Sequence, residues 1–171
     1  GRAKHAMSTS HTSQALHQDH EATVAFAERL ETLLARHPRQ PPDPADPVVS
    51  KLLRDLPVML DTEISRHFDF EEAELFRHLA EAGEEEIGTH LTEEHDAMRP
   101  LGKRLIELIG PVLAQGFDDA AWKEFRTAGA ELCERMVMHV QKEEMMLLPL
   151  IEESLDAETD ASLYAEYMGN N

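Results

Sequence analysis

Apolar residues recur every three or four positions along most of this chain, the period of one face of an α-helix. Four such stripes can be followed. The first runs Leu16, His20, Val24, Ala27, Leu30, Leu34, with an N-cap offered between Ser10 and Ser13. It stops by His37, because Pro38 pushes the residue before it out of helical backbone. Residues 39–47 (RQPPDPADP) are too rich in proline for regular structure. The second helix runs from about Val48 to Ala82, with Gly83 as its C′ residue; Pro57 predicts a kink, or a start after it. Glu84 to Gly88 reads as an acidic turn. The third helix carries Ile87, Leu91, Met98, Leu105 and Ile109, and Gly110-Pro111 weakens its end. The fourth, capped by Asp118 or Asp119, carries Trp122, Phe125, Gly129, Leu132, Met136, His139, Glu143 and Met146, and Pro149 closes it. Residues 160–168 (DASLYAEYM) suit a short fifth helix docked by Tyr164 or Tyr167.

Four amphipathic helices joined by short links predict an all-α, up-down-up-down four-helix bundle over residues 10–155. A tail or short helix follows at 156–171. Residues 1–9, opening GRAKHAM, read as a vector-derived or disordered leader and are set aside, His5 included.

The second stripe is the odd one. Its positions are Leu60, Ile64, His67, Glu71, Leu75 and His78, so a histidine and a glutamate one turn apart stand where Leu and Ile belong. A carboxylate placed there needs a partner, or it costs several kcal/mol. A metal ion would supply one if the other helices contribute similar groups.

Composition narrows the partners. The 171 residues hold 34 acidic and 16 basic side chains, a formal charge of −18, which disfavours nucleic acid and anionic membrane. One cysteine, Cys133, fits a reducing, cytoplasmic compartment, and no apolar run approaches the roughly 20 residues of a membrane span.

Spacing alone is a weak guide to ligands. With ten His and 23 Glu, about one His-x-x-x-Glu pair is expected by accident; the chain has four, at His17/Glu21, His67/Glu71, His90/Glu94 and His139/Glu143. Only His67/Glu71 and His139/Glu143 place both members on the apolar stripe. The same phase prefers Glu71 over Glu72 and Glu143 over Glu144, whose neighbours should face solvent or a flanking helix and tolerate substitution. Helix one adds His20. Helix three leaves a choice between His95 and the pair His90/Glu94.

These segments resemble those of hemerythrin-like, or HHE cation-binding, domains: LHQDHEAT around His20, HFDFEEAELF from His67, EEH ending at His95, and HVQKEEMMLLP from His139. The resemblance covers roughly Leu16 to Leu150. It implies a hemerythrin-like bundle holding two non-haem irons with a bridging oxo or hydroxo group. His20, His67, His95 and His139 would be the imidazole ligands and Glu71 and Glu143 the bridging carboxylates, with His90 as an additional candidate. Oxygen-carrying hemerythrins have a fifth histidine four residues from the one on helix three; here those positions are Leu91 and Arg99. The chain therefore looks more like the four-histidine branch found in iron–sulfur-cluster-repair and other bacterial HHE proteins.

Binding, sensing or scavenging of O2, NO or peroxide is the expected function. The alternative is an enzyme for peroxide removal, NO reduction or iron–sulfur repair. Several residues have plainer readings. A lone His20 would be an ordinary core histidine, and His17 and His78 are surface or helix-end groups. Ile64, Leu91, Met98, Met136 and Met146 form an apolar wall, the methionines acting as flexible filler. Cys133 is an inert buried thiol, and Gly129 permits close helix packing.

Overall fold

Helix starts are set by side-chain caps where the sequence offers them. In the computed structural model, which describes residues 9–169, the Ser10 hydroxyl accepts from the Ser13 amide and opens α1 (His11–Arg36). Asp46 accepts from the Val48 and Val49 amides ahead of α2 (47–81), with Pro47 in the first turn, where its missing N–H costs nothing. Asp118, of the two expected candidates, caps α5 (119–154). Of the expected leader 1–9, residues 1–8 lie outside the described residues.

The α2 helix is one helical run through Pro47–Val58, Met59–Ile64, Ser65–Phe70, Glu71–Leu75 and Phe76–Glu81. It begins ahead of Pro57, and a π-helical segment, Met59–Ile64, follows directly. Gly83 takes φ +89° beyond its end, the left-handed conformation that a C′ glycine accepts without penalty. The acidic turn is shorter than expected, because α3 (Glu85–Ile109) already includes Gly88. A Cβ on Gly88 would meet Phe76 Cβ at 2.8 Å, so the missing side chain lets α3 close on α2. A four-residue helix, α4 (Val112–Gln115), bridges to α5, which runs through Asp119–Lys142, Glu143–Leu147 and Leu148–Ser154. Pro149 does not close it. The turn before it is already in the wide π register, with Leu148 N–H bonded to Glu143 C=O, and the helix passes through. The fifth amphipathic segment is α6 (Ala157–Tyr167), docked by buried Tyr167 rather than the half-buried Tyr164.

Two apolar clusters show how the helices run. One gathers Leu16, Leu75, Leu79, Leu91, Leu147 and Ile151, the start of α1, the end of α2, the start of α3 and the end of α5. The other gathers Leu30, Leu53, Leu105 and Phe125 at the opposite ends. Successive helices are therefore antiparallel, an up-down-up-down bundle. Trp122 donates from its indole nitrogen to the His37 carbonyl at 2.9 Å, which ties the end of α1 to α5.

Between the clusters lies a polar layer. Along α1 the order is Leu16, His20, Phe26; along α3, Leu91, His95, Met98; along α5, Met136, His139, Glu143, Leu147. In each case the chain leaves one cluster and enters the other across the layer. Apolar burial of roughly 25 cal/mol per Å² on either side holds this layer away from water. No helix among the described residues is long and apolar enough to cross a membrane.

Candidate metal centre

Six side chains meet in the polar layer, one each from α1 and α3 and two each from α2 and α5. His20, His67, His95 and His139 are buried, and Glu71 and Glu143 are 0% exposed. Their pairing has an order. Glu143 Oε1 lies 2.6 Å from His20 Nε2 and 3.2 Å from His67 Nε2, while its Oε2 lies 2.9 Å from His139 Nε2. Glu71 Oε2 lies 3.1 Å from His67 Nε2, and its Oε1 lies 3.0 Å from His95 Nε2. Each carboxylate thus turns one oxygen to the His20/His67 pair and the other to the His95/His139 pair. Two overlapping donor groups result: Glu71, His95, His139 and Glu143, and His20, His67 and Glu143. In each, the donor atoms lie within 4.8 Å of one another.

Four atoms of this layer are buried without a hydrogen-bond partner: Glu71 Oε1, His95 Nε2, His139 Nε2 and Glu143 Oε2. They approach each other to 2.9–3.0 Å yet lack hydrogen-bond alignment, as donors aimed at a common point would. A polar network that only filled the core would satisfy these atoms, because each orphaned group costs about 1–3 kcal/mol. The imidazole and carboxylate donors fit a first-row divalent cation; the absence of thiolate among them separates the set from a structural zinc knot.

The outer nitrogens of the histidines are held as well. His20 Nδ1 pairs with Glu144 at 2.5 Å, His95 Nδ1 with Glu72 at 2.5 Å and His139 Nδ1 with Glu94 at 2.7 Å. His67 Nδ1 faces Asp19 at 3.5 Å and the Tyr167 hydroxyl at 3.3 Å. With Nδ1–H donating outward, Nε2 is the nitrogen that faces the centre and would give up its proton to a cation there. Glu72 and Glu144 do face flanking helices, as phase requires, but there they orient histidines rather than standing idle. Nothing in the stripe pattern could have separated them from other half-exposed acids. Phe68 stacks on the His95 ring at 3.8 Å and 11°, a further restraint on its orientation.

Charges in the layer lean on each other. Burial works against a proton on His20, His67 and His139, but the facing carboxylates, Glu143 for His20 and His139 and Glu71 first for His67, outweigh it and raise all three. Burial likewise opposes charge on Glu143, yet His139, His20 and His67 hold its carboxyl well below the usual range. A cation entering here displaces protons rather than adding to them.

Three sequence expectations end elsewhere. His90 is 53% exposed on the side chain and sits by Lys142 Nζ (3.1 Å) and Glu94 Oε2 (3.3 Å), outside the six. Met146 is 56% exposed, and Leu147, at 0%, takes its place in the core. His78 is half-buried while Leu79 carries the stripe. The last two share a cause: π-turns begin at Glu71 and Glu143, and each advances the inward phase by one residue. Ile64, Leu91, Met98 and Met136 are buried, as expected. Cys133 is buried, its thiol pushed up to about 12 chiefly by burial, which leaves it unreactive.

An antiparallel bundle whose core carries histidines from all four long helices and carboxylates from two of them defines a cation-binding helical domain. Residues 11–112 match the hemerythrin HHE cation binding domain family, more than half of the chain, and the protein belongs to that family. No curated protein matches it significantly.

Proposed function

We propose that the six inward residues hold two iron ions, one at His20 and His67 and one at His95 and His139, with Glu71 and Glu143 bridging. We further propose that the centre binds, senses or scavenges a small ligand: O2, NO or peroxide. The observation that carries this reading is that each of two buried carboxylates faces both histidine pairs, with four unpartnered donor atoms, Glu71 Oε1, Glu143 Oε2, His95 Nε2 and His139 Nε2, gathered at one of the two positions. Iron bound there would supply redox change and open coordination positions for the ligand.

The chain's own residues do the rest. Glu71 and Glu143 offset the charge of two close cations, which a dry core would otherwise make prohibitive. Glu72, Glu94, Glu144, Asp19 and Tyr167 fix the imidazole planes. Ile64, Leu91, Met98 and Met136 limit water. The alternative, an enzyme for peroxide removal, NO reduction or iron–sulfur repair, needs a proton donor free to reach the ligand. Glu72, Glu94 and Glu144 are hydrogen-bonded to histidines and are not free for that role.

Metal analysis with spectra of both redox states tests the proposal. About two irons per chain, an oxo-bridge absorption in the near ultraviolet, and spectral return after O2 is added and removed are expected. A metal-free or single-ion protein, or one with zinc alone, contradicts it. Irreversible oxidation with O2 release from peroxide supports the enzyme instead.

A further inference from the structure

The centre repeats itself. Helices α1 and α3 each bring an acid followed by a histidine, Asp19-His20 and Glu94-His95; α2 and α5 each bring His-x-x-x-Glu-Glu, His67 to Glu72 and His139 to Glu144. The outer contacts repeat too: Asp19 faces His67 as Glu94 faces His139, and Glu144 faces His20 as Glu72 faces His95. An approximate two-fold relation therefore exchanges α1 with α3 and α2 with α5. By residue type the inner six make the two cation positions equivalent, although the four unpartnered donor atoms all lie at the His95/His139 position.

The charge behind them breaks the equivalence. On the His95/His139 side both outer carboxylates carry a cation. Lys142 Nζ donates to Glu94 Oε2, and Arg99 donates to Glu72 Oε2 at 2.9 Å, the same oxygen that takes His95 Nδ1–H. On the His20/His67 side, the other contact of Glu144 is His17, a half-exposed imidazole at 2.7 Å. Asp19 Oδ2 is buried without a hydrogen bond. Among the described residues no lysine or arginine pairs with Asp19 or Glu144. Arg66, which precedes His67, donates to the Tyr167 carbonyl and lies over its ring, 4.4 Å from the centroid.

We infer that the two positions bind their ions unequally, the His20/His67 position tightly and the His95/His139 position weakly, with Lys142 and Arg99 as the positioning charges that set the difference. The inference rests on the two-cation reading above. A carboxylate accepting from Nδ1–H makes the imidazole a better electron donor at Nε2. A cation on that carboxylate withdraws part of this effect and adds repulsion to the bound ion. The His20/His67 position keeps its outer negative charge, so it also favours the more highly charged ion.

Calorimetric titration of the apoprotein with Co2+ at fixed ionic strength tests this. Wild type takes up two resolved equivalents. His20→Ala removes the tight one and His139→Ala the weak one. Lys142→Met and Arg99→Met each tighten the weak equivalent on the order of tenfold, the lower edge of what outer partners of metal-bound histidines contribute, and leave the tight one unchanged. Lys142→Arg behaves as wild type, which separates charge from packing. Glu144→Gln weakens the tight equivalent by a similar factor. Two equivalents of equal affinity, or Met variants whose weak equivalent is unchanged or looser, overturn the inference while leaving the two-cation reading intact. No uptake at all overturns both.

Discussion

Glu71 and Glu72 differ by one position and by function. Glu71 is fully buried and turns its two oxygens to two histidines on different helices; Glu72, half-buried, orients His95 from outside. Glu143 and Glu144 repeat the division for His139, His67 and His20. Removing an inner carboxylate leaves two imidazoles with no shared anion, so Glu71→Ala and Glu143→Ala should each lose metal outright, read as ions per chain. Glu72→Gln should keep the fold but lower metal affinity by roughly 10–100-fold; an unchanged affinity would mean that His95 needs no outer partner. Five of the inner six were legible from helical phase, but His95 was singled out from the His90/Glu94 pair only by the family resemblance. The outer acids were not legible. They lie on the flank of a stripe in a chain with 34 acidic residues, and only the neighbouring helix gives them a role.

The stretches that misled the reading are those where a helix stops being uniform. Phase extrapolated at 3.6 residues per turn put Met146 inward and ran the second stripe through His78, itself read as a surface or helix-end group; the π-turns at Glu143–Leu147 and Glu71–Leu75 move the core to Leu147 and Leu79. Both turns start at the inner glutamates, so they help decide which residues after the ligand enter the core. Leu147→Ala should therefore cost about 2–5 kcal/mol in denaturant unfolding. Met146→Ala should stay within about 0.5 kcal/mol. Equal costs would restore the uniform helix. Packing between helices gives a second test. Gly88→Ala places a methyl group against Phe76, whose ring stacks near His95 at 6.1 Å. Overpacking of about 1–3 kcal/mol outweighs the roughly 1 kcal/mol gained in helix propensity, so its melting temperature should fall. Helix existence and direction, by contrast, followed from caps and stripes, though Pro149 does not end α5 as expected.

At the scale of the whole molecule, α6 fastens the ends of the chain to the centre. Asp160 accepts from Ser10 Oγ at 2.5 Å and from the His11 and Thr12 amides at 2.9 and 3.2 Å, while Tyr167 reaches His67 from the same helix. Burial would raise the Asp160 carboxyl, but these donors, Ser10 foremost, hold it below the usual range. Its contribution is thus present above the unfolded carboxylate value and is lost as pH falls through the lower folded value. Asp160→Asn should be less stable than wild type near neutrality by about 1–3 kcal/mol, and the gap should close only in acid below pH about 4. A gap independent of pH would show that the charge is irrelevant. The fifth helix was expected from residues 160–168, but its hold on α1 was hidden, because the contacts join residues about 150 positions apart.

The central claim is that six side chains turn inward together because cations neutralise them. Anomalous diffraction at the iron absorption edge, from crystals of protein loaded with iron, tests it most directly. Two peaks are predicted inside the bundle, one against His20 and His67 and the other against His95 and His139, with Glu71 and Glu143 touching both. Iron-loaded crystals with no anomalous peak in that layer, or with peaks only at surface acids, would contradict it.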